Sequence, residues 1–255
     1  MMKFPIIGII GGMGPQAGLD LASKVIAETQ AVTDQDHLPM ALLSYGHLIG
    51  DRSSYVFGES IPNPGIAIAS VARDLAKMDI KVAGIPCNSA HAPQIFNEMI
   101  RLLDGVNIRI LHLIEETVKY LKKSLPDITQ IGCISTLSVH RLGIYHSALE
   151  NAGLTPVIPS NQVAEHLVHR AIFDPEFGIK AKSAPVTAQA KQMVLDAVYH
   201  CREEGAEAVI MGCTELPLAV PRAGNIPLID PARALARALI RETSPDKLRQ
   251  LDQIR

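Results

Sequence analysis

The sequence predicts an α/β fold made of two similar parallel-sheet α/β domains, related by a pseudo-two-fold duplication, with the active site in the cleft between them. Three observations carry this. Short continuous apolar runs such as Ile6 to Ile10 and Ala208 to Met211 are the strand type of a sheet covered on both faces. They alternate with helical stretches, the order that builds a parallel sheet between helices. The plan then recurs: Gly8 and Gly132, each near the start of its run, lie 124 residues apart, and Cys87 and Cys213, each at the end of a later run, lie 126 apart. A duplication of this kind divides the chain into a first domain of residues 1–115 plus 222–255 and a second of residues 116–221, with both cysteines at strand carboxyl ends.

Taken in order, Ile6 to Ile10 reads as a buried strand, followed by the loop Gly11-Gly-Met-Gly-Pro15, whose glycines let backbone approach a ligand. The loop is neither a GxGxxG fingerprint nor a Walker motif, so the dinucleotide reading is weak, while small-anion binding by its N–H groups fits. A helix is expected from Gln16 to Val32, a strand over Met40 to Tyr45, and a polar segment around Asp51-Arg52-Ser53-Ser54. The apolar face of Ile66, Val71, Leu75 and Met78 predicts a helix over 64–78 that leads into the strand ending at Cys87. Residues 91–103 then read as helix, 108–111 as strand and 115–124 as helix, broken at Pro126.

Gln130 to Thr136 opens the second pass. A helix over 140–152 closes at Gly153, a strand spans 155–158, and a helix spans 162–173. The longest irregular stretch, 174–185, carries Lys180 and Lys182. A helix over 187–204 leads to the Cys213 strand, and a last strand over 226–229 precedes Asp230-Pro231, a cap and first-turn proline. The final helix, 232–242, is expected to pack back on the first domain.

Composition narrows the function. With 24 Lys plus Arg against 26 Asp plus Glu in 255 residues, no basic field for nucleic acid or acidic membranes is present. The N-terminal apolar run is too short for a membrane span and lacks a secretory cleavage pattern, which predicts a soluble, cytoplasmic protein. Four cysteines, Cys87, Cys133, Cys201 and Cys213, are too sparse for a disulfide scaffold and show neither CxxC nor zinc-ligand spacing. Cys133, inside a strand run, and Cys201, late in a helix, read as packing residues.

Cys87 and Cys213 differ, because each ends an apolar run and is followed by capping residues, Asn88 and Ser89 or Thr214. A thiolate is the reactive form, and N–H groups at a helix start stabilise it. Two thiols can form a disulfide, a metal site or a two-base catalyst. Missing Cys/His ligands count against metal, and missing CxxC spacing against redox chemistry. Opposed thiols suit inversion at a carbon acid, and an ordinary thiol pKa of ~8.5 needs only a modest shift to work near neutrality.

Together Gly11-Gly-Met-Gly-Pro15, Asp51-Arg52-Ser53, Pro86-Cys-Asn-Ser-Ala-His91, Gly178-Ile-Lys180 and Gly212-Cys-Thr-Glu-Leu-Pro217 resemble the aspartate/glutamate racemase family, in particular its aspartate racemase branch, over nearly the whole chain. The resemblance implies two α/β domains, no pyridoxal phosphate or other cofactor, no metal, and a homodimer acting on a dicarboxylic amino acid. It implies Cys87 and Cys213 as the catalytic thiols, with Arg52 and Lys180 gripping substrate carboxylates. It also places Met13, Asn88, Ser89, Thr136, Ser138 and Thr214 along the substrate pocket. Such cations and N–H donors would stabilise the charge that develops as an α-proton leaves.

The chain departs from the family pattern at Gly18, Ser89 and Ser138, where threonine is expected, and at Val139-His140-Arg141. These positions bear on the substrate side chain and leave the thiols untouched. Glutamate racemases have Asp-Ser-Gly after the first strand where this chain has Gly-Gly-Met-Gly, which favours aspartate. Alternatives are a broad-specificity or glutamate racemase, a maleate isomerase or hydantoin racemase of the same fold, or a catalytically silent amino-acid-binding protein. His91 either tunes the Cys87 thiol or caps and packs, the latter favoured, and Glu215 either polarises the site or complements the helix dipole, for which its place in the first helical turn is sufficient.

Overall fold

Two four-stranded sheets, both entirely parallel, organise the described residues. The structure, a computed structural model, describes residues 5–59 and 61–251. The first sheet contains β1 (Ile7–Gly11), β2 (Met40–Ser44), β3 (Val82–Gly84) and β4 (Arg109–Leu111) in the order β2-β1-β3-β4. The second contains β5 (Gln130–Ser135), β6 (Thr155–Val157), β7 (Ala208–Gly212) and β8 (Leu228–Ile229) in the order β6-β5-β7-β8. Strand for strand these are the same topology, and the central strands β1 and β7 are buried throughout, as their apolar runs require.

The repeat extends to side-chain detail. Gly8 pairs with Ala83 and Gly132 with Val209, and a cysteine lies four residues beyond each partner, Cys87 after one and Cys213 after the other. A Cβ on Gly8 would lie 2.9 Å from Ile80 Cγ2, and one on Gly132 3.0 Å from Cys201 Cβ. Each glycine therefore sits where the helix preceding the next strand, Pro64–Lys77 or Ala188–Glu203, and the turn after it close down on the sheet. Cys201 is thereby explained as packing: it is fully buried, and burial pushes its thiol up to about 12. Burial likewise raises the thiol of Cys133 far above its ordinary value.

One unit of the chain runs to Glu116 and resumes at Ala232, and the other is Thr117–Pro231. The last strand, expected within a first domain that resumes at residue 222, instead pairs β8 with β7 through Val209 and Leu228. Once β7 is central, its free edge is the place for a following parallel strand. The return therefore falls at the helix Pro231–Thr243, whose Leu235, Leu239 and Ile240 share a core with Ile7, Ile9, Leu21 and Val25 of the first unit. In the same unit Glu28 is buried against two arginines of that helix, Arg237 and Arg233, the latter at 2.5 Å. Beyond it, Arg249 donates to the Thr29 carbonyl at 3.0 Å, and Thr29 and Leu248 form an antiparallel bridge.

Other departures have local causes. The first helix, Pro15–Glu28, stops short of Val32 because Gln30 N–H bonds Lys247 O instead of continuing the helical ladder. The helix expected over 140–152 is two, Leu137–Arg141 and Ile144–Asn151, parted at Gly143, which adopts φ +60°. The helix expected over 162–173 contains a π-helical stretch, Ala164–His169. Among the described residues no helix is long and apolar enough to cross a membrane.

Candidate active site

In the first unit, the loop after β1 and the turn after β3 emerge side by side, since those strands are paired. Gly12 has φ +96°, and a Cβ there would lie 2.6 Å from the Gly46 backbone nitrogen, so this glycine is demanded by the turn that follows β2. Gly18, one of the departures from the family pattern, lies within the helix Pro15–Glu28, where a Cβ would meet Leu42 Cδ1 at 3.1 Å and Gly11 Cα at 3.4 Å. A side chain there requires the end of the Leu42 side chain to give by a few tenths of an ångström. The loop in turn presents the Met13 carbonyl to Arg52.

Arg52 begins a short helix, Arg52–Val56, rather than lying in an irregular polar segment. Asp51 caps it by accepting from Ser54 N–H at 2.8 Å. The guanidinium donates to the carbonyls of Met13 at 3.3 Å and Gly50 at 3.2 Å. These acceptors are neutral, so Arg52 is oriented while its charge stays available for an anion.

Cys87 is buried and extended, with φ −151°, and heads the short 3-10 helix Asn88–His91. Its Sγ lies 3.4 Å from Ser89 Oγ. His91 Nδ1 lies 2.9 Å from the Cys87 carbonyl, and because a carbonyl only accepts, Nδ1 carries the proton. The ring stacks on Phe96 with centroids 5.1 Å apart and meets His112 edge-on at 4.8 Å. Burial first and His112 second push the His91 pKa down to about 3. His91 is therefore neutral at working pH and acts on Cys87 through its backbone, in line with the packing role favoured from the sequence.

The second unit repeats the arrangement with β5 and β7. Thr136 and Ser138 follow β5, both buried, with their hydroxyl oxygens 3.2 Å apart. Cys213 follows β7, also buried, and Thr214 is buried beside it in the chain. Sγ of Cys213 lies 3.9 Å from Glu215 Oε2, and the same oxygen lies 2.6 Å from Lys180 Nζ. The Lys180 loop is held by N–H groups of Ile179 and Lys180, which bond the carbonyls of Ala171 and Ile172.

Two expectations change here. The helices after the thiols, Asn88–His91 and Leu216–Ala219, are about one turn each, so no long macrodipole reaches either sulfur, and no side-chain cap bond forms at their starts. Glu215 has an ion-pair partner in place of a helix dipole to complement. Lys180 and Glu215 are distant in sequence, and their pairing left no local signal. His112 was missed for the same reason, although its place just after β4 follows the rule that strand carboxyl ends carry the chemistry. Among the described residues no group of three His, Cys, Asp or Glu is placed to hold a metal ion.

Two matched parallel sheets, each followed by one buried cysteine past a strand carboxyl end, define a duplicated α/β protein. The chain belongs to the Asp/Glu/Hydantoin racemase family, which it matches over residues 10–239, and it is a racemase-family enzyme. Among solved structures it is similar to the aspartate racemase of Picrophilus torridus, at 30% identity and a TM-score of 0.78, covering 94% of each chain. It is also similar to the broad specificity amino-acid racemase RacX of Bacillus subtilis (strain 168), 24% identical over 244 residues, 92% of this chain and 96% of that protein. A glutamate racemase of Limosilactobacillus fermentum is 25% identical over 200 residues, 72% of this chain and 66% of that protein.

Proposed function

We propose that the chain racemises an acidic amino acid, L-aspartate in the first instance, without pyridoxal phosphate or metal. One thiolate takes the α-proton while the other thiol delivers a proton to the opposite face. The observation that carries the reading is the register equivalence of Cys87 and Cys213, each four residues beyond the partner of its sheet's glycine. Only these two of the four cysteines follow a strand end; Cys133 and Cys201 are packed inside elements.

Substrate class follows from the cations. Arg52 holds its charge with no acidic partner among the described residues, and Lys180 has a carboxylate partner that a substrate carboxylate can replace. Met13, Asn88, Ser89, Thr136, Ser138 and Thr214 are assigned to the substrate-binding walls beside them. Similarity to the Picrophilus protein favours aspartate, whereas RacX makes a broader range the second reading. Rates on aspartate, glutamate, asparagine and neutral amino acids separate the two.

The test of mechanism is the pair Cys87→Ser and Cys213→Ser. Serine is far less acidic than cysteine, so each variant should lose nearly all racemisation while still exchanging the α-proton of one enantiomer with solvent deuterium. The preferred enantiomer should be opposite in the two variants. Substantial racemisation by either one would refute the two-base assignment.

A further inference from the structure

Each reactive thiol meets the side chain two residues further along, and the two partners differ in charge. Ser89 is a neutral hydroxyl that either donates to Cys87 or accepts from it. Glu215 is a carboxylate that only accepts, so its contact with Cys213 is a hydrogen bond only while the sulfur keeps its proton. The Glu215 oxygen that faces Cys213 also faces Lys180, whose ammonium lies 5.6 Å from the centre of the Phe173 ring. One buried oxygen is thus shared between a thiol and a cation. Tyr145 also acts electrostatically on Cys213 in this unit, and burial first, with Cys133 next, holds its phenol neutral well above the ordinary range.

We propose that Glu215 is a positioning residue that keeps the proton on Cys213 in the free enzyme, and that Lys180 sets how firmly it does so. The inference rests on the two-thiol reading above and adds direction to it. At rest Cys213 is the acid and Cys87 the base, because a negative carboxylate disfavours a thiolate beside it, whereas a serine hydroxyl can stabilise one. When a ligand carboxylate draws Lys180 away, Glu215 is less neutralised and holds the Cys213 proton harder. Dicarboxylate binding is thereby coupled to where the proton sits before any α-carbon chemistry begins.

The two partners make opposite predictions for one measurable quantity. Glu215→Gln removes the negative charge while the Lys180 cation remains, so the Cys213 thiol should become more acidic. Lys180→Met leaves the carboxylate bare while keeping an apolar stem against Phe173, so the thiol should become less acidic. Thiolate absorbance near ~240 nm reads this directly in full-length protein carrying Cys87→Ser. Cys133 and Cys201 stay protonated through the range because burial raises both, and subtracting the same titration of the Cys87→Ser, Cys213→Ser protein removes the tyrosines, so the midpoint is followed in either direction.

The expected result is a downward shift of about one pH unit or more for Glu215→Gln and an upward shift of similar size for Lys180→Met. An unchanged titration in Glu215→Gln, or shifts in the same direction, would overturn the proposal while leaving the two-thiol mechanism to its own deuterium test. Should Glu215→Gln fail to fold, Lys180→Met decides alone, since Lys180 is partly exposed. An absent or downward shift there overturns the proposal.

Discussion

The neutrality of His91 has a consequence for acid stability that can be worked out in advance. Its pKa is lowered from 6.5 to about 3 in the folded chain, so folding favours the neutral ring. The stability this contributes is present above pH 6.5 and is lost as pH falls toward about 3. The slope approaches about 1.4 kcal/mol per pH unit, and between about pH 7.5 and about pH 5 the loss from this one group is about 2 kcal/mol. His91→Asn keeps an N–H near the position of Nδ1 and removes the titration, while forfeiting packing against Phe96 and His112. The variant should be less stable near neutrality but should lose about 2 kcal/mol less than the natural protein on acidification. Urea unfolding at the two pH values measures both quantities, and His169, also lowered by burial, is common to both proteins and cancels. Equal acid losses would show that His91 is protonated without penalty, and its assignment as a neutral backbone clamp on Cys87 would fall.

Two further predictions follow from charged side chains in the first unit. Arg52→Ala should lower kcat/KM on aspartate by about tenfold or more, the scale of one lost charge-assisted hydrogen bond, with little change in Tm because its present acceptors are two backbone carbonyls. Unchanged turnover would show that Arg52 is an ordinary solvated charge. Glu28→Ala should cost about 3–5 kcal/mol in urea unfolding, because it strands the buried Arg237 without its carboxylate. A loss below about 1 kcal/mol would show that water reaches and compensates the arginine.

The sequence made the strands legible because parallel strands buried on both faces must be continuous apolar runs, and a duplication leaves matched spacings wherever the sheet register is kept. Gly8, Gly132, Cys87 and Cys213 were therefore placed correctly relative to their neighbours from the chain alone. What escaped was set by tertiary contact. Nothing near Leu228 marks which sheet it joins, since a two-residue strand has no pattern of its own, and its pairing is decided by the free edge of β7. The contacts of His91 with His112 and of Lys180 with Glu215 likewise arise only when strand ends and loops meet. The role given to Glu215 failed because the helix it was to complement is only one turn long.

The helix Pro231–Thr243 supplies Leu235, Leu239 and Ile240 to the core built on β1, although the whole second unit separates the two in sequence. During synthesis the amino-terminal strands therefore leave the ribosome with one wall of their core still untranslated, whereas Thr117–Pro231 has its own sheet and core in hand once Ile229 has emerged. The order of maturation is thus inverted relative to the order of translation: the inserted segment can consolidate first, and the unit that began the chain is the last to be sealed. Nascent chains stalled before Ala232 should accordingly expose Ile7, Ile9, Leu21 and Val25 to chaperones.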